Sequence, residues 1–253
     1  MTFTDTHCHL ADPKLADTLP AVLTEAQAAG VVRFIVPATS PKDWQTVAQL
    51  ERPSENIHIA LGIHPWFSDG IDETAFQQLE TELIQHPQAW VGEIGLDFYD
   101  KEQAQRETQT DVFIRQLILA QNLNRRVIIH NLKATAAIAA AVKTAGFTRG
   151  GIVHAFSGSV EEARILVKLG FKIGIGSLLL NPNAKKVRTA LQALNDTDFV
   201  LETDSPFMLS HETNTPANIR RIAEIAAELR GVPLAQLAEI TEQNVDFLLH
   251  TSP

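Results

Sequence analysis

The sequence contains one cysteine, Cys8, in 253 residues. A lone thiol makes no internal disulfide and no cysteine-based zinc site, and it suits a reducing cytoplasm. No apolar run reaches the length of a membrane span. The first residues lack a basic stretch leading into an apolar one, so no secretory leader is expected. No segment has the composition of a disordered or low-complexity region. Positive charge is also scarce: 21 Lys and Arg stand against 30 Asp and Glu, for a net charge of -9. Proteins that wrap a nucleic-acid duplex over a broad surface are usually basic, so extended duplex contact is not expected. A local positive site remains open, and bound metal ions would supply one.

What the chain does have is a hydrophobic content of 45%, enough for a large core. A repeating order runs through it. Near-continuous apolar runs, the mark of parallel strands buried on both faces, occur at 3–10, 31–38, 57–64, 90–96, 126–130, 151–156, 171–177 and 198–204. Helical spacing follows at 15–30, 73–87, 107–123, 159–171, 216–231 and 233–250. Ser159 with acids after it reads as a helix start, and Gly30 and Gly231 read as helix stops. Eight β-α units in this length predict a (β/α)8 TIM-like barrel, with a doubly wound open sheet as the alternative. No composition break divides it, so residues 1–253 are expected to form a single domain.

A barrel of this kind carries its chemistry where the strands end. The polar residues expected there are His7 and His9 after strand 1 and His64 after strand 3. Strand 4 carries Glu93, and His130, His154 and Asp204 end strands 5, 6 and 8. Any one of these histidines alone reads as a hydrogen-bonded structural residue. Together they are costly to bury unless paired or metal-bound. Imidazole and carboxylate suit divalent ions, zinc, manganese or magnesium among them, and one carboxylate can bridge two. The expected division puts His7, His9, Glu93 and Asp204 on one ion, with Glu93 bridging to a second held by His130 and His154. Asp204, at the edge, is also expected to take the proton from an attacking water, so Glu93 and Asp204 are the catalytic candidates.

Taken in order, DTHCHL, GIHP, VGEIGLDF, HAFSGS, LGFKIGIG and LETDSP resemble the TatD family of metal-dependent hydrolases, often described as deoxyribonucleases, within the amidohydrolase-like barrels. The resemblance runs from about residue 3 to the last helix. It implies a two-metal site with the ligands named above and hydrolysis of phosphodiester bonds, with DNA or another nucleic acid as substrate through local contact. One departure stands out. The family pattern HxRxA is HNLKA here, so Leu132 occupies the arginine position and Lys133 is the neighbouring cation. Arginine would grip a phosphate as a bidentate donor, which lysine does only as a point charge. Lys133 and His64 are the substrate-binding candidates.

The remaining residues have quieter readings. His58 is expected to be structural, His86 and His250 solvent-facing, His211 a surface residue, and Cys8 a small packing residue. Trp66 either stacks on a base or caps the barrel. The alternative reaction is metal-dependent hydrolysis of a carboxylic ester or amide, such as an aminoacyl ester on RNA, which the loss of the arginine favours. A non-catalytic binding barrel is disfavoured because all the ligand positions are filled.

Overall fold

A computed structural model of the chain describes residues 1–52, 56–99 and 102–251. Eight strands form one parallel sheet in sequential order: β1 (Phe3–Asp5), β2 (Val31–Pro37), β3 (Ile57–Leu61), β4 (Trp90–Asp97), β5 (Val127–Leu132), β6 (Gly151–Val153), β7 (Phe171–Ile175) and β8 (Phe199–Leu201). The sheet curls until its two edges meet. The Thr6 amide donates to the Leu201 carbonyl at 3.0 Å, the Asp204 amide to the His7 carbonyl at 2.8 Å, and Cys8 forms a parallel bridge with Ser205. Sequential order with meeting edges is a TIM-like barrel, and it rules out the open doubly wound sheet.

Nine helices alternate with these strands among the described residues: α1 (Leu19–Ala28), α2 (Trp44–Ala48), α3 (Glu73–Gln85), α4 (Gln103–Asn122), α5 (Thr135–Thr144), α6 (Val160–Lys168), α7 (Lys185–Ala193), α8 (Ile219–Arg230) and α9 (Leu234–His250). The strongest start signal is real: Ser159 caps α6 in a reciprocal box with Glu162. Gly231 ends α8 at φ +66°, a left-handed position that costs glycine nothing. The helical spacing had not marked α2, α5 or α7. The α5 sequence TAAIAAAVKT has too little contrast between its faces to show a stripe, and α2 is five residues long.

Alternation along the strands divides the core in two. One face packs Phe3, Val36, Leu61, Val91, Ile129 and their neighbours under the helices. The other sends Ile35, Ala60, Ile128, Ile152 and Val200 inward, where they meet Val245 and Leu248 of α9. Each such aliphatic side chain, fully buried, contributes about 1.5–3 kcal/mol. α9 therefore closes the end of the barrel where the strands begin. Arg126, just before β5, donates to the carbonyls of Leu248, Arg149 and Thr251. Arg33 of β2 pairs with Glu242 at 2.6 Å and Asp246 at 2.7 Å. With that end plugged, the opposite end is left for polar chemistry. No helix among the described residues is long and apolar enough to cross a membrane.

Candidate metal centre

The open end gathers the residues that the sequence singled out, although the strands deliver them differently from expectation. β1 stops at Asp5, so His7 and His9 lie beyond it, in the segment bridged to Ser205. They still face one way, with their Nε2 atoms 3.1 Å apart, while Cys8 turns back toward the Ile35 carbonyl. His154 follows β6 directly. Asp204 lies three residues past β8, at φ +58°, with its amide held by the His7 carbonyl. Ala155, at φ +47°, is held by Glu202. Left-handed backbone is uncommon for residues with a side chain and persists where surrounding bonds enforce it.

Glu93 is the hub. It is buried, and its two oxygens face different partners. Oε2 lies 3.3 Å from His7 Nε2 and 3.6 Å from His9 Nε2. Oε1 lies 2.7 Å from His154 Nε2, 3.1 Å from His130 Nδ1 and 3.3 Å from His64 Nε2. Asp204 Oδ1 stands 3.6 Å from His7 Nε2 and 3.4 Å from His9 Nε2. Three overlapping groups result, each with donor atoms within 4.8 Å of one another: His7, His9 and Asp204; His7, Glu93 and His154; His64, Glu93 and His130.

The electrostatics are set by carboxylates and imidazoles packed together out of water. Burial alone would raise Glu93, but His154, His64 and His7 hold its carboxyl well below the usual carboxylate range. Burial pulls the His7 imidazole down to about 4. Burial also opposes the charge on His9, yet the hydrogen bond and charge of Asp204 outweigh it and raise that imidazole to about 9. The donor set also fits divalent ions. It offers imidazole nitrogens and carboxylate oxygens aimed at common points, which suits borderline transition metals. The unpartnered ring nitrogens, His7 Nδ1, His154 Nδ1 and His130 Nε2, are the ones turned away from Glu93, so each ring presents its other nitrogen to the cluster.

The other candidates are spread around this centre. His64 caps a short 3-10 turn, Pro65–Phe67, by accepting from the Trp66 amide at Nδ1. Its neutral ring therefore carries the proton on Nε2, toward Glu93. Trp66 is 66% exposed at the rim and donates from Nε1 to Asp97. Lys133 is exposed, with its ammonium 4.2 Å above the Tyr99 ring. His58 is half-buried in β3, and His211 and His250 are exposed, as expected. His86 is less exposed than expected, because Glu51 holds its Nδ1 at 2.6 Å.

Three buried carboxyls escaped the sequence reading. Asp5 accepts from Thr203 and from the His7 amide, and burial still lifts it to about 7. Glu202, fully buried, accepts from the Ala155 amide and lies 3.9 Å from His154 Nδ1, and burial pushes its carboxyl well up. Asp97 lies 3.6 Å from His130 Nε2. Burial works against the Asp97 charge, but the adjacent His130 imidazole and the Trp66 N–H prevail and bring it to about 2. Their signal was present inside the motifs DTHCHL, LETDSP and GLDF.

Barrel, open-end cluster and donor chemistry together define a metal-dependent hydrolase. Across residues 4–250 the chain matches the family model for TatD-related DNases, and it belongs to that family. It is 34% identical to the uncharacterized metal-dependent hydrolase YjjV of Escherichia coli (strain K12), over 98% of both chains. The crystal structure of that TatD homolog superimposes with a TM-score of 0.92, at 33% identity and 98% coverage of each chain. The human deoxyribonuclease TATDN3 is 29% identical, over 95% of this chain and 92% of its own length.

Proposed function

We propose that the chain is a two-metal deoxyribonuclease that hydrolyses phosphodiester bonds. The observation that carries this reading is the division of Glu93, whose two oxygens face two separate sets of imidazoles. A carboxylate so divided suits a bridge between two ions. In this reading His7, His9 and Asp204 would hold one ion, His130 and His154 the other, and Glu93 would contribute to both. Zinc, manganese and magnesium are all compatible with the ligands. Bound divalent ions would polarise the scissile phosphate and lower the pKa of water toward neutrality. Asp204, at the open edge of the cluster, takes the proton from the attacking water. His64 donates from Nε2, and Lys133 supplies a positive charge at the rim for a phosphate. The name of the human relative supports DNA as substrate, and the net charge of -9 favours local rather than extended contact.

The test is hydrolysis of a fluorescent single-stranded DNA oligomer by wild type and Glu93→Ala, each stripped of metal and then given zinc, manganese or magnesium. Cleavage that requires metal and disappears in Glu93→Ala is the expected result. Tight metal uptake without cleavage would sink the nuclease reading. One observation favours the alternative of ester or amide hydrolysis: Leu132 at the end of β5 offers a phosphate no donor.

A further inference from the structure

Asp97 ends β4 at the mouth, and one of its oxygens serves two directions. Oδ2 accepts from the Trp66 indole Nε1 at 2.5 Å and stands 3.6 Å from His130 Nε2. Oδ1 accepts from the Tyr99 amide at 3.0 Å, which fixes the carboxylate plane. The Asp97 amide donates to Gln109 Oε1 of α4 at 2.9 Å, so the residue is anchored from behind. His130 turns its other nitrogen, Nδ1, to Glu93 at 3.1 Å. His130 Nε2 is buried and makes no hydrogen bond, and the oxygen that accepts from Trp66 stands 3.6 Å from it.

A neutral imidazole that gives one nitrogen to a metal keeps its proton on the other, and that N–H needs an acceptor. We infer that Asp97 is a positioning residue that holds His130 for the metal and, through the shared oxygen Oδ2, couples metal binding to Trp66 at the rim. The inference rests on the metal-centre reading above but not on the identity of the substrate. It has a direction. When His130 Nδ1 is engaged, Nε2–H becomes a second donor to Oδ2; the oxygen can accept both, but two donors on one oxygen each bind it less strongly than one alone, so the indole bond weakens. Anything that pulls Trp66 away from Asp97 frees that oxygen for His130. An exposed aromatic and a buried ligand thus share one acceptor across the mouth.

The test reads metal binding rather than catalysis. Trp44 and Trp90 are 3% and 7% exposed against 66% for Trp66, so a change in solvent-sensitive indole emission is assigned to Trp66. Full-length apoprotein is titrated with Zn2+ against a competing chelator, following emission and bound zinc. Wild type is expected to shift its emission on loading, and Trp66→Phe to abolish the shift while binding zinc severalfold tighter. Asp97→Asn is expected to bind zinc about 10–100-fold more weakly, the usual cost of losing a carboxylate behind a ligating histidine. In a His130→Ala background the same change should cost nothing further.

Wild-type zinc affinity in Asp97→Asn, or an equal loss with and without His130, would overturn the proposal. Unchanged affinity in Trp66→Phe would overturn the shared oxygen, even if Asp97→Asn failed to fold. A chain that took up no zinc would overturn the metal centre and this inference with it. A full zinc response without DNA cleavage would count against the nuclease alone.

Discussion

Gly174 makes room for Glu202: a Cβ built on residue 174 would stand 2.2 Å from Glu202 Oε2 and 3.0 Å from the His154 Cα. Glu202 is fully buried, bonded to the Ala155 amide, and set behind His154. Gly174→Ala is therefore expected to displace Glu202 and, with it, the turn that carries His154. Overpacking at such a site costs about 1–3 kcal/mol. Thermal unfolding of the metal-free variant would show the cost, and zinc titration would show weakened uptake. A variant with unchanged melting and unchanged uptake would mean that the β7 backbone yields and that Glu202 is not held by this contact.

At the opposite end, Arg126 spends one guanidinium on four acceptors. It donates to Leu248 O at 2.7 Å, Arg149 O at 2.9 Å, Thr251 O at 3.1 Å and Thr251 Oγ1 at 2.8 Å. These include carbonyls at the C-terminal end of α9, where a cation is favoured by the helix dipole. Arg126→Ala should destabilise the fold by about 2–3 kcal/mol, since a set of charge-assisted bonds is lost, the one to Leu248 O fully buried. Arg126→Lys should recover little, because an ammonium lacks the planar fork. Urea denaturation measures both. If lysine restores full stability, charge alone holds the α9 plug.

His58 makes acid stability testable away from the metal centre. Burial and the nearby Arg33 push its imidazole down to about 4. The unfolded chain, at an ordinary histidine pKa near 6.5, then binds more protons between about pH 4 and pH 6.5. The stability that His58 contributes is present above about pH 6.5 and is lost as pH falls through that window. Asp5, raised from 3.8 to about 7, changes stability in the opposite sense across the whole of the same range. The informative quantity is thus the difference between wild type and His58→Gln. The variant is expected to lose less stability between pH 6.5 and pH 4, by chemical denaturation at each pH. Parallel pH profiles would show that His58 titrates alike in both states.

Much of this was legible in the sequence, and the reasons differ by residue. The barrel was readable because buried parallel strands are nearly all apolar, and the polar cluster at its mouth because His7, His9, Glu93, His130, His154 and Asp204 lie within or just past strands, where a core has no use for them. Asp5, Asp97 and Glu202 were hidden inside the same motifs. A carboxylate that positions a histidine leaves no periodicity of its own, and only coordinates show Asp97 Oδ2 facing two donors at once. The extents of β1, β6 and β8, three residues each, were overdrawn for a related reason. Apolar character continues past the last ladder bond into the turns that carry His7 and His154.

Leu132 gives the sharpest test of substrate chemistry. It closes β5 two residues after His130, so strand alternation turns both side chains to the same face, toward the mouth. It is half-buried and pairs in register with Asp97 of β4. An arginine there would point its fork beside the cluster, with the Asp97 carboxylate near enough to orient it. Lys133, the next residue, has left-handed backbone at φ +54° and sets its ammonium over the Tyr99 ring at the rim. Leu132→Arg is therefore expected to raise kcat/KM for a single-stranded DNA substrate by about tenfold or more, the worth of one charge-assisted bond to phosphate. Turnover of an uncharged carboxylic ester, which offers no anion to grip, should stay level. The ratio of the two kcat/KM values is the measurement. A ratio unchanged by the arginine would mean that the phosphate does not pass over β5. The same ratio in wild type, if it already favours the ester, would point to Leu132 as the residue that turned this barrel away from phosphodiesters.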